Sequence, residues 1–477
     1  MRKTTAAMSA VMLGLALTQG AAHAAPSEQA APPQQPAGAN PFLAELGSDA
    51  GVDYHAWTTY LKSQSAVKAK ERLTTLSKEN SSLLSVAKAT PEVVREQTPD
   101  RTTGPANAQK VTVFGTDEGK APKISVKGNL RADDDQDFYA IRLRAGDVLG
   151  ASVSGSATSL NIYDSAGHLV KGSTEDLTSI YPASSPLPGG GNAANDHVAV
   201  YTGWYYLSVG AGSGAYDITV EGYRPPLEGA KPTQTLFLDF DGARADSGRN
   251  GGGRVTLSPF RDSITKWGLK KSDENRLIDA IVAEIKENLQ EDMVKTGLNK
   301  RFNLKITNSK DDPDTWGQAN VSRVVIGGTN EEFGAHTPLP IFGTATDVDP
   351  GNFETEETAF ILMDLPTAPA GPVNSLNTYL QPGGNKIAFL GQALGTAASH
   401  EAGHMFGNFH TDGTDAQFNV MDADLSTYNE LFGVGKDGIG GTADDVDVDF
   451  GEDAFRPAEG FTGIEDTMNR ISFGLTR

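Results

Sequence analysis

The chain has 477 residues, no cysteine, and 61 acidic against 40 basic side chains, for a formal charge of -21. That length exceeds what one ordinary core needs and points to two or three domains. Without thiols there is neither a disulfide scaffold nor cysteine chemistry, and the acidity repels phosphate backbones, so nucleic acid is excluded as an expected partner.

Residues 1–24, MRKTTAAMSAVMLGLALTQGAAHA, set Arg2 and Lys3 before an apolar run from Ala6 to Leu17 and end in Ala22-His23-Ala24. This is the pattern of a signal peptide cut after Ala24, which takes the charge to -23 by removing Arg2 and Lys3. Its apolar run is too short to span a bilayer, and no later segment reaches the roughly 18 apolar residues a membrane helix needs. The expectation is a soluble exported protein, secreted or at the cell surface, and not an integral membrane protein. Residues 25–41 are rich in proline and read as an extended linker. Within 42–105, Leu61, Val67, Leu73, Leu76, Leu83 and Leu84 recur at helical spacings until Thr90-Pro91 breaks the pattern. A helical module placed between a signal and a folded domain reads as a propeptide.

From 107 to 224 the period shifts to two. FYAIRLRAG, SLNIYDSAG, WYYLSVGAG and YDITVEGY alternate apolar with polar residues and stop at glycine-containing turns, which predicts an all-β sandwich. Asp133, Asp134, Asp135 and Asp137 at its start are either a calcium cluster or a solvated acidic turn. From 225 to 477 the pattern is mixed. TQTLFLDFDG, RFNLKIT, SRVVIGG and TAFILMDL read as strands, and SDENRLIDAIVAEIKENLQEDMVKTG reads as a long amphipathic helix capped by Ser272 or Asp273. A mixed sheet packed on helices, an α+β arrangement, accounts for that order.

Three of the eight histidines fall within GTAASHEAGHMFGNFH, residues 395–410. On a helix, His400 and His404 are four residues apart and share a face, so two imidazoles reach one ion. Glu401 lies about 100° further around, near the ion but off the ligand line, where it can hold water without binding metal. Gly407 and Asn408 stop the helix and let the chain double back, which brings His410 within reach as a third ligand. Three neutral histidines with an open fourth position suit a catalytic zinc ion, since structural zinc sites close their shell with four protein ligands.

The run His400-Glu401-Ala402-Gly403-His404-Met405-Phe406-Gly407-Asn408-Phe409-His410 resembles the elongated zinc motif of the metzincin metallopeptidases, H-E-x-x-H-x-x-G-x-x-H. The resemblance implies a metzincin-like catalytic domain over 225–477, with zinc on His400, His404 and His410 and Glu401 as general base. It also implies a methionine turn beneath the metal, for which FNVMDADL offers Met421. Some metzincin groups carry a tyrosine two residues after that methionine. Ala423 stands there in this chain, and Tyr428 is the candidate for supporting the transition state instead.

DDDQDFYAIRLRAGDVL, LNIYDSAGHLV and GWYYLSVGAGSGAYDITV resemble the bacterial pre-peptidase C-terminal domain, a jelly-roll module that accompanies secreted peptidases. In most of those proteins it follows the catalytic domain, whereas here it precedes one. The whole is therefore expected to be multidomain, with a helical segment, a jelly-roll sandwich and a zinc peptidase domain in that order.

The implied activity is hydrolysis of protein or peptide substrates. Zinc makes a water acidic, Glu401 takes its proton, and the leaving amine receives that proton. A substrate strand is expected to pair with an edge strand within PLPIFGTATDV, and His336 just ahead of it reads as a surface or capping residue. Downstream, Asp437, Asp444, Asp445, Asp447 and Asp449, with Glu452 and Asp453, form a glycine-punctuated loop that either binds calcium or is solvated. It lacks the spacing of an EF-hand. A zymogen without cysteine would need a carboxylate of 25–105 on the open zinc position, or helices over the cleft. Two other readings remain open, a non-catalytic surface or adhesion protein braced by zinc, and a zinc amidase acting on cell-wall peptides.

Overall fold

The computed structural model describes residues 92–97, 104–114, 122–225, 233–248, 253–334, 340–423 and 428–476. The signal segment, the linker, the helical module as far as residue 91, and His336 lie outside them. Among the described residues no helix is long and apolar enough to cross a membrane.

The sandwich strands are β1 (Glu92–Arg95), β2 (Gln109–Val111), β3 (Lys123–Leu130), β4 (Asp137–Leu143), β5 (Val148–Gly155), β6 (Ser159–Tyr163), β7 (Leu169–Ser173), β8 (Ala193–Val198), β9 (Gly203–Gly210) and β10 (Gly214–Tyr223). The alternation read from the sequence is the alternation of burial. In β10, Tyr216, Ile218 and Val220 face inward, and in β3, Ile124, Val126 and Leu130 do. The next region carries β11 (Gln234–Asp239), β12 (Arg244–Asp246), β13 (Arg254–Thr256), β14 (Leu304–Asn308), β15 (Val321–Ile326), β16 (Gly343–Ala345) and β17 (Thr358–Ile361), and β18 (Glu452–Ala454) and β19 (Phe461–Asp466) come near the C-terminus.

One five-stranded sheet has the order β1-β3-β10-β5-β8, and a seven-stranded sheet runs β18-β19-β7-β6-β9-β4-β2. Tyr139, Ile141, Leu160, Ile162, Leu207 and Val209 from the second sheet meet Val126, Val153, Ile218 and Val220 from the first in one apolar core. Two expected boundaries therefore need correction. The sandwich begins before residue 107, because β1, within the segment read as helical (42–105), lies parallel to β3 with Glu92 opposite Ile124. Its alternation is too short to register beside the helical spacing upstream. And 225–477 is not self-contained, because β19 pairs antiparallel with β7, Phe461 opposite Ser173, so the C-terminal residues complete a sandwich sheet.

The remaining five-stranded sheet, β14-β11-β15-β17-β16, is parallel except for its last pair, with β16 antiparallel to β17 at the edge. Against it packs α1 (Glu274–Lys286), which buries Leu277, Ile278, Ile281, Val282 and Ile285. The expected cap acts elsewhere, since the Asp273 carboxylate accepts the N–H of Lys270 in a preceding tight turn. Beside α1 runs α2 (Lys386–Met405), the histidine helix, opened by Asn385 whose side chain accepts the N–H of Ala388. The last helix is α3 (Thr467–Gly474).

Candidate metal centre

α2 ends in a Schellman turn. Asn408 N–H donates to Gly403 O and Gly407 N–H to His404 O, with Gly407 at a φ of 105°. Only glycine takes that φ without strain, and a Cβ there would lie 2.7 Å from Pro350 Cα. The chain therefore reverses, and His410 comes back over the face that carries His400 and His404. The ring centroids are 4.9 Å apart for His400 and His404, 5.2 Å for His400 and His410, and 4.6 Å for His404 and His410. One nitrogen from each of the three buried rings lies within 4.8 Å of the others.

The opposite nitrogens are held. His400 Nδ1 donates to Val420 O at 2.7 Å, His404 Nδ1 to Asn408 O at 2.8 Å, and His410 Nδ1 to the buried Glu459 carboxylate. That tautomer leaves a lone pair on each Nε2, and Nε2 of His404 and His410 face each other at 3.1 Å. Lone pairs so placed repel unless a cation lies between them, and three neutral imidazoles suit zinc. Burial, and then His410, push His400 down to about 3, and burial holds His404 and His410 well below the ordinary range, so all three are neutral at pH 7. The residues thus fit a zinc ion by number, donor type and protonation.

Glu401, also buried, sits beside the edge of the sheet. A Cβ at Gly343 in β16 would lie 2.3 Å from Glu401 Oε1, so the strand passes directly against the carboxylate. Met421 is buried under α2, where a Cβ at Gly403 would meet its sulfur at 2.5 Å. Tyr428 opens a one-turn helix and packs its ring against Phe342 and Phe432, at 5.5 and 5.6 Å between centroids. Phe342 is the neighbour of Gly343.

The acidic candidates divide. Asp437, Asp444 and Asp445 accept hydrogen bonds from their own loop, from Ile439 N–H, Asp437 N–H and Gly441 N–H respectively. Asp447 and Asp449 converge instead with Glu287, which follows α1. In the sandwich, Asp133 and Asp134 are exposed, Asp135 accepts the N–H of Arg131, and Asp137 turns into the core to accept the hydroxyl of Tyr216 at 2.6 Å.

Nothing in the residue pattern marks the side chains that seat His410. Glu459 holds its ring, and Glu465 accepts Phe409 N–H at 3.1 Å. Arg470 Nε donates to Gly407 O at 2.5 Å and lies 3.3 Å from Glu465. Its other end pairs with Asp196 of β8, which also takes Lys171 of β7 at 2.7 Å and Tyr181 Oη at 2.6 Å. Lys171 Nζ lies 3.4 Å from the centre of the Phe409 ring. The residue before the third histidine is thus clamped by charges from the sandwich.

No family model matches the chain, and no curated protein matches it. Among solved structures it is similar to the pre-peptidase C-terminal domain of a collagenase from Bacillus anthracis, at 18% identity over 24% of this chain and 93% of that one, with a TM-score of 0.17. A periplasmic inhibitor of g-type lysozyme from Aeromonas hydrophila matches at 13% identity over 24% of this chain and 96% of that one, TM-score 0.17. IMPa from Pseudomonas aeruginosa, solved with an O-glycopeptide, matches at 13% identity and a TM-score of 0.14, over 50% of this chain, which spans 28% of that protein.

Proposed function

We propose that this protein is an exported, metzincin-like zinc endopeptidase whose catalytic groups are His400, Glu401, His404 and His410. The observation that carries the reading is the convergence of three buried, neutral imidazoles beside a carboxylate that lies against an edge strand. Zinc on the three Nε2 atoms would supply Lewis acidity, polarising a carbonyl and acidifying water. Glu401, fixed by its helix next to that ion, takes the proton of the attacking water and returns it to the leaving amine. β16, the last strand of its sheet among the described residues, would pair with the main chain of an extended substrate and so bring a peptide bond past Glu401. Met421 floors the site, and Tyr428 is the candidate for transition-state support. The pre-peptidase-like sandwich and the N-terminal segment of signal type support export, to the periplasm or beyond.

The test is Glu401→Gln in the full chain. Zinc content measured by mass spectrometry should stay near one per molecule, while hydrolysis of a mixed peptide library falls by roughly 10²–10⁴. Full activity in that variant overturns the assignment. Stoichiometric zinc with no peptide hydrolysis by the wild type would favour the zinc-braced surface protein, and release of muropeptides would favour the amidase.

A further inference from the structure

We infer that Glu287, Asp292, Asp447 and Asp449 form a second metal site, for calcium, just beyond the C-terminal end of α1. Carboxylate oxygens of Glu287, Asp447 and Asp449 lie within 4.8 Å of one another. Two local features of the chain bring them together. After α1 the helix widens into a π turn, Glu287–Glu291, in which Asp292 N–H donates to Glu287 O. Residues five apart on an α-helix point about 140° away from each other, and the wider turn brings Glu287 and Asp292 onto one side. Opposite them the acidic loop leaves its glycines and runs extended. Val448 and Phe450 are buried, so Asp447 and Asp449 share the other face.

The second observation is Asp292. It is only 4% exposed, it touches the carboxylates of both Asp449 and Glu287, and its Oδ2 receives no hydrogen bond. Glu287 Oε2 is likewise buried without a donor. Lys295, itself largely exposed, reaches the other oxygen of Asp292 at 3.4 Å. Buried carboxylates turned towards each other with no donor between them are costly unless a proton or a cation is shared. Burial, followed by the neighbouring carboxylates, pushes Glu287 and Asp449 upward and Glu284 up to about 7, as expected around an acidic cluster without its counter-ion. An all-oxygen, half-open set leaves room for water and suits calcium, which takes six to eight oxygens in flexible geometry, better than magnesium with its strict octahedron.

The site also bears on the histidines. Val420 N–H donates to Asp449 O at 3.2 Å, and Val420 O is the acceptor that orients His400. A cation on Asp449 therefore firms the segment on which the first histidine rests. The inference stands independently of the peptidase reading, because its readout is binding and melting rather than turnover.

The experiment uses the zinc-loaded full-length protein, stripped of calcium on a chelating resin and with zinc restored, titrated with calcium chloride in a calorimeter and in thermal melts. One equivalent should bind and the Tm should rise by several degrees, with magnesium at the same concentration giving a smaller shift. Asp447→Asn with Asp449→Asn, both at exposed positions, should weaken calcium binding at least tenfold and abolish the shift. Asp437→Asn with Asp444→Asn should leave both unchanged. Asp292→Asn should weaken calcium binding. A wild type indifferent to calcium, an equal response to magnesium, an undiminished response in the Asp447/Asp449 variant, or loss of response in the Asp437/Asp444 variant would each overturn the assignment.

Discussion

The two ends of the histidine motif are held by different physics. His400 stands on α2, and its orienting partner is a main-chain oxygen, Val420 O. His410 hangs beyond the helix, and its seat is built from side-chain charges, with Glu459 on its ring, Glu465 on the preceding N–H, and Arg470 linking that carboxylate to Asp196 in the sandwich. A helix supplies orientation through its own hydrogen bonds, whereas a loop must borrow it. Here the lender is a sandwich strand far earlier in the chain, since Asp196 of β8 and Arg470 are 274 positions apart. The sandwich is therefore part of the frame of the histidine cluster. Phe409, Phe455 and Phe461 pack in one cluster with Ile180, Tyr181 and Val198.

The sharpest way to break this contrast is to cut the charged link. Arg470→Met leaves Asp196 and Glu465 buried without their guanidinium, and removing one partner of a buried pair costs about 3–5 kcal/mol. Denaturant unfolding should show a loss of that size, with zinc affinity falling alongside it. A loss under about 1 kcal/mol would mean that the sandwich does not brace the site. The next largest effect is expected at Glu459→Gln, which keeps the shape but weakens the acceptor on His410 Nδ1. Changes to the partner of a ligating histidine cost roughly 10–100-fold in metal affinity, and competition against a chromophoric chelator would measure it. Unchanged affinity would make His410 as self-sufficient as His400.

The same contrast explains what could be read in advance. His400, Glu401 and His404 belong to one helix, so the period of the helix alone places them, and Gly407 announces the reversal because a positive φ selects for glycine. The sandwich strands and the four apolar runs of the mixed sheet β14-β11-β15-β17-β16 show in their own alternation and composition. Glu459, Glu465 and Arg470 carry no such mark. Each is a charged residue in a polar stretch, and each is buried only once the segment around β19 and α3 has docked. Likewise the acidic loop was visible as a run of aspartates, but its division into self-bonded Asp437, Asp444 and Asp445 and the outward pair Asp447 and Asp449 depends on which N–H groups the folded loop presents. The π turn that aligns Glu287 with Asp292 has no compositional signal either.

The smallest expected effect sharpens the account of the charged side by asking what its buried lysine costs. Lys171 faces Asp196, Arg470 and Glu465, together with the rings of Phe409, Phe461 and Phe455. Burial, only partly offset by Asp196, lowers its pKa from 10.5 to about 8. Between those values the unfolded chain holds a proton that the folded chain has released, so stability from this group rises with pH through that window, by at most about 1.4 kcal/mol per unit. Below pH 8 both states carry the proton, and the charged lysine is a net burden on the fold that Asp196 and the aromatic faces reduce. Lys171→Met removes the titration, while Arg470 and Tyr181 still satisfy Asp196. The wild type should therefore gain on the variant from pH 8 to 10. A difference that stays flat across that range would mean the lysine remains protonated throughout, and that its aromatic and carboxylate neighbours repay the whole cost of burying it.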